Sequence, residues 1–195
     1  MKLVNQLKSL TAALGTLALF SSAISCGDSD EALSSLYGIY ELSAWNENDV
    51  SCGDDGPSVL ADKIEKYLVV KEGEFFVKFV SAEACENLEA CRAVAVDDTL
   101  NLSAYLFNEG NDADGWTGER ASAFGSGDSC SGDFTQFTMT SPESGVVEIV
   151  TQNHSVEDVG RDADDFCDLD EVETRGPTEP CTARQLMRAT LVEKL

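Results

Sequence analysis

From Leu36 onward, apolar and polar residues alternate in short runs separated by clusters of Gly, Asn, Asp and Ser. Such alternation places every second side chain on one face, the pattern of a half-buried strand. Residues 99–107 carry it most clearly, with Leu100, Leu102, Ala104 and Leu106 on one face. Residues 66–72 and 74–81 flank Gly73 and predict a hairpin. In its second arm Phe75, Val77 and Phe79 share a face and Lys78 points away. Residues 134–140 and 146–153 flank Ser141-Pro-Glu-Ser-Gly145, a second hairpin. Further strands are expected over 36–45, 92–96 and 188–195, with a fainter one over 117–124.

Helix is a minor component of this reading. Residues 58–66, just after Pro57, fit one helical stretch. Thr182-Ala-Arg-Gln185 fits a capping box, while Thr190-Leu-Val192 beyond it prefers strand, so this segment is open to both. Many short strands at near-regular spacing predict an all-β fold. Gly38-Ile39-Tyr40 resembles the Gly-x-Trp/Tyr opening of lipocalin-type barrels, where the aromatic closes the barrel floor. That resemblance implies an antiparallel up-and-down barrel. The alternative is a Greek-key β-sandwich, with Tyr40 an ordinary core residue. In lipocalins a late Arg stacks on the aromatic, and Arg184 and Arg188 are the residues available for that role.

The N-terminus obeys a different pattern. Lys2 and Lys8 precede an apolar run over 10–20, too short for the ~20 residues of a membrane-spanning helix. Ser21-Ser-Ala-Ile-Ser-Cys26 follows. This resembles the lipobox of bacterial lipoproteins, which implies cleavage before Cys26 and diacylation of its thiol. Ordinary signal cleavage after Ala23 is the alternative. Cysteine parity separates the two: with Cys26 lipidated, Cys52, Cys85, Cys91, Cys130, Cys167 and Cys181 form an even set. The expected organisation is a signal peptide over 1–25, a lipid-anchored tether over 26–35 and one β-domain over 36–195. Gly27, in place of Asp after the cysteine, favours the outer membrane of a Gram-negative-type bacterium under the enterobacterial sorting rule.

Composition narrows the partners. The 195 residues include 36 acids, 13 Lys and Arg and one His, a formal charge of −23. Loss of residues 1–25, which hold two lysines and no acid, makes it −25. Nucleic acid and anionic headgroups would be repelled, so the membrane partner must be held by the anchor. Two acyl chains suffice, at ~0.8 kcal/mol per buried CH₂.

Six cysteines in an exported domain predict three structural disulfides, with 15 connectivities open. Spacing favours Cys85 with Cys91 and Cys167 with Cys181, leaving Cys52 with Cys130. There is no Cys-x-x-Cys, and no His at zinc-finger spacing.

Candidate chemistry is sparse. Asp112-x-Asp114-Gly115 has the alternating oxygens of a Ca²⁺ loop, yet Gly110 and Ala121 fall where an EF-hand needs ligands. A solvated hairpin tip explains the same residues. The run from Glu157 to Glu173 is acidic enough to bridge cations or simply to keep a loop hydrated. His154 and Ser155 are neighbours but lack an identifiable orienting acid, and Gly125-Ser-Gly-Asp-Ser-Cys130 lacks a helix after it. No catalytic residue and no cofactor is assigned. The expected function is a non-enzymatic envelope lipoprotein with a binding or surface-interaction role, its partner an envelope protein or a small hydrophobic ligand. The alternatives are a lipocalin-like carrier, with aromatics lining its cavity, and a Ca²⁺-dependent adhesion module.

Overall fold

Nine antiparallel strands form one sheet in the computed structural model, which describes residues 33–49, 52–97, 99, 101, 103–126 and 129–195. The segment expected as a signal peptide, Cys26, Leu100 and Leu102 lie outside the described residues. The strands are β1 (Gly38–Asn48), β2 (Tyr67–Phe75), β3 (Val77–Cys85), β4 (Tyr105–Phe107), β5 (Glu109–Asn111), β6 (Gly115–Ser126), β7 (Ser129–Glu143), β8 (Val146–Val156) and β9 (Cys181–Lys194). Their order is β4-β3-β2-β1-β9-β8-β7-β6-β5, so every neighbour is sequential except the closing pair β1–β9. This is an up-and-down arrangement, nearly closed into a barrel.

The closure has a simple cause. β4 pairs with β3 and β5 pairs with β6, and only Asn108 separates them. The two are halves of one course, which leaves an even number of courses, as an all-antiparallel closed sheet requires. The Asn108 N–H donates to the Thr117 carbonyl at 3.1 Å, and Gly118 lets the chain at Leu106 come close. A Cβ there would stand 2.1 Å from the Leu106 carbonyl oxygen.

Alternation then sorts the side chains. Tyr40, Leu68, Val70, Phe107, Phe137, Met139, Ile149 and Met187 fill the interior, each 2% exposed or less. Out of phase with them, Ile39 and Val69 point outward and are covered by α1 (Leu88–Ala95). Phe134 and Val156 are likewise covered by α2 (Leu169–Arg175). Asn87 caps α1 by accepting from the Ala90 N–H at 2.9 Å, and Asp168 caps α2 from Glu171 at 3.1 Å.

Several expectations are corrected. Residues 92–96, expected as strand, belong mostly to α1, whose cap and Ala-rich run outweigh two valines. Residues 58–66 contain only a 3₁₀ turn, Leu60–Asp62. Residues 182–185, open to helix or strand by sequence, are strand, because β9 is held on both sides by β1 and β8. The first hairpin turns at Phe76, and Gly73 lies within β2 opposite Phe79, whose ring occupies the space of its missing side chain. Among the described residues of 99–107 the inward ones are Tyr105 and Phe107, the opposite phase to Ala104 and Leu106.

Candidate functional site

The two mouths of the barrel are built differently. At one, here the turn end, β2–β3, β5–β6 and β7–β8 are joined by short turns, and residues 33–37 cross the opening. Asp112, at the tip of the β5–β6 hairpin, fastens them. Its carboxylate accepts from the Ser34 hydroxyl (2.5 Å), the Ser35 N–H and hydroxyl (2.6 Å each) and the Trp116 indole (2.8 Å). Burial pushes the Asp112 pKa up, but the donors from Ser34, Ser35 and Trp116 outweigh it and hold the group below the ordinary aspartate range. Leu33, Ser34 and Ser35, assigned to the tether by sequence, are thus bound to the barrel. Behind the clamp Tyr40 is 2% exposed and donates to the Leu36 carbonyl at 2.6 Å. Burial and the nearby Asp112 charge push its pKa up to about 12.

Both Asp112 oxygens are therefore engaged by protein donors, and Asp114 accepts from the Asn111 side chain at 2.9 Å. Among the described residues no three Asp, Glu, His or Cys side chains converge as metal ligands. The acidic run over 157–173 is tied to its own loop. Asp162 caps turns at Asp164 and Phe166, and Glu171 accepts from the Gly160 N–H and pairs with Arg175 at 2.7 Å. His154 is buried on the outer face against Phe134, its Nδ1 donating to the Glu179 carbonyl at 2.7 Å. Ser155 points elsewhere and bonds Asp133, so the two form no nucleophilic pair. Arg184 pairs with Asp55, and Arg188 with Glu143 and Glu148, so neither stacks on Tyr40.

The other mouth, the loop end, receives the long connections over 49–66, 86–104 and 157–180. All three disulfides lie there: Cys52–Cys181, Cys85–Cys91 and Cys130–Cys167. The expected pairings of Cys167 with Cys181 and Cys52 with Cys130 are overturned. Cys52 follows β1 and Cys181 opens β9, so the barrel-closing pair brings them together. Cys167 precedes α2, which folds over the outer face of β7 where Cys130 sits.

Inside this mouth the lining turns polar. The Tyr105 phenol donates to Gln185 at 3.0 Å, and the Gln185 amide donates to Glu47 at 2.9 Å. Glu47 pairs with Lys63 at 2.6 Å, and that ammonium also lies 4.5 Å from the Trp45 ring centroid. The bond from Lys63 holds the Glu47 carboxyl below its usual range, and burial raises the Tyr105 pKa. Thr135 and Asn153 continue the polar lining at 2.9 Å. These groups are half-buried and reach solvent, whereas the layer below them, Trp45 and Phe137, does not. An apolar ligand entering the barrel would have to displace Phe107, Phe137 or Met187. Sequence reasoning missed this polar rung because Glu47, Tyr105 and Gln185 come from three distant strands. Only the register brings them together.

A second concavity of about 470 Å³ lies on the outer face of β2 and β3, beneath the segment after α1. It is lined by Glu72, Glu74, Glu83, Asp97, Phe79 and Lys71, among others. The Lys71 ammonium is consumed by the carbonyls of Val94 and Asp97, which end α1. No family model matches the chain, and no curated protein or solved structure matches it.

Proposed function

We propose that this chain is a lipid-anchored protein of the cell envelope that presents a disulfide-braced, acidic barrel mouth for binding, with no reaction of its own. The observation that carries it is the pairing of the cysteines. Six of the seven close three bridges within the barrel domain, and Cys26 is the one left over. Disulfides belong to oxidising compartments, and a leftover thiol placed after a lipobox-like segment is the one an acyl transfer would consume.

The tether meets the barrel at the turn end, and the long loops gather at the opposite end. An anchored molecule therefore holds its loop end away from the bilayer. That end carries Asp54, Asp55, Asp162, Asp164, Asp165 and Asp170, so a protein partner meeting it brings positive charge.

Intact mass of the membrane-extracted protein, before and after reduction and alkylation, tests the reading. The expected result is a diacyl or triacyl adduct on Cys26 and six thiols released only on reduction. A chain starting at Ile24 with an unmodified Cys26 would overturn the anchor, and free thiols before reduction would overturn the framework.

A further inference from the structure

We propose that the tip of the β2–β3 hairpin, Phe76 with Val77, dips into the outer layer of the bilayer to which the chain is anchored. This rests on the lipid-anchor reading. Phe76 is 94% exposed and Val77 is 65% exposed, side by side at a projecting tip. β1 pairs with β2 only from Tyr67 to Val70, with Gly38 opposite Val70. The next five residues of β2 therefore overhang the start of β1, by roughly 16 Å at ~3.3 Å per residue. Phe76 also has φ +64°, a left-handed conformation that glycine adopts freely and a bulky side chain rarely does. At that exposure the Phe76 side chain buries little of its apolar surface in the domain and presents the rest outward at the tip.

The anchor puts a bilayer within reach of that tip. The hairpin projects from the turn end, where Leu33 joins the barrel through its N–H to Glu72 at 3.4 Å. Six residues lie between Cys26 and Leu33, and the seven backbone steps span at most ~25 Å fully extended. An acylated Cys26 thus keeps the turn end close to the membrane and leaves the loop end outermost. Charge does not oppose the contact with zwitterionic lipid. Glu72 is paired with Lys78 at 2.8 Å, and Glu74 stands opposite Lys78 in the hairpin register. Aromatic residues favour the headgroup–acyl boundary, where an interfacial segment buries its apolar face.

The test uses the full chain, extracted with its anchor and reconstituted in phosphatidylcholine vesicles whose acyl chains carry bromine. Phe76→Trp adds a reporter at the tip, and Phe166→Trp adds one on the exposed acidic loop of the other end. The native Trp45 and Trp116 are buried and give the background. Expected is a blue-shifted, bromine-quenched emission from the tip reporter and an unquenched, water-like emission from the loop reporter. Val77→Trp repeats the reading should Phe76→Trp fold poorly. A water-like tip, or equal quenching at both ends, would overturn the inference while the acyl adduct still stands in the mass spectrum. Absence of the adduct removes the anchor reading and this inference with it.

Discussion

The two mouths of one barrel are held shut by different physics. The turn end is closed by hydrogen bonds converging on a single carboxylate, Asp112, over a buried phenol. The loop end is held by covalent bridges and by two short helices laid on the outer face. The difference follows from loop length. Short turns fix their own geometry, whereas long acidic loops on a chain of formal charge −23 lose much entropy on ordering and repel one another. Covalent constraint lowers that entropy difference in the unfolded state, and it does so most for the most distant pair.

Removing the bridges is the largest perturbation available. Cys52–Cys181 closes a separation of 129 residues, Cys130–Cys167 one of 37 and Cys85–Cys91 one of 6. Paired Ser substitutions should cost about 5, 4 and 2 kcal/mol in that order, by chain entropy alone. Urea unfolding at constant pH would read the series. Equal losses at all three would mean that local packing and not loop closure sets their value.

Asp112→Ala should cost about 2–3 kcal/mol, because it removes a charged acceptor and leaves the Trp116 indole, 6% exposed, without one. The loss depends on pH. A carboxyl held below its unfolded value of about 3.9 contributes stability that is full above that pH and vanishes as pH falls through the folded value. Wild type and variant should therefore differ at pH 7 and converge in acid, while the bridge variants stay apart from wild type at both. Parallel curves for Asp112→Ala would show that the clamp works in its protonated form.

At the same end Phe76→Gly should act in the other direction. Releasing a left-handed phenylalanine stabilises the free protein by about 1 kcal/mol, net of the flexibility glycine adds to the unfolded chain. A destabilised variant would mean that the exposed ring packs on the hairpin in solution.

Most of the barrel was legible because one-sided strands write their burial into period two. β1, β7 and β8 lie close to their expected places for that reason. The failures were of two kinds. Local alternation picked the wrong face over 104–107, where Leu106 is partly covered from outside and Phe107 fills the core, since a strand covered on both faces carries no clean period. Long-range facts were invisible altogether. The pairing of β1 with β9 decides that Cys52 meets Cys181 and that Glu47 meets Gln185, and no spacing along the chain encodes it. Asp112 looked like a turn residue or a cation ligand because its partners, Ser34 and Ser35, lie 77–78 positions away.

The finest comparison sets one phenol at each mouth against the other. Tyr40 donates to a backbone carbonyl that belongs to the closing segment, whereas Tyr105 donates to Gln185, a side chain that also bonds Glu47 and can turn. Tyr40→Phe strands the Leu36 carbonyl and should cost about 1–2 kcal/mol, while Tyr105→Phe should cost about 0.5 kcal/mol. The alkaline limb separates them further. The Tyr40 phenol ionises near 12 when folded and near 10 when unfolded, so its contribution is complete below pH 10 and is lost as pH rises toward 12. Tyr40→Phe should flatten that limb of the stability curve, read by chemical denaturation between pH 9 and 11. An unchanged limb would place the alkali-sensitive group elsewhere, with Tyr37 beside Glu72 the next residue to replace.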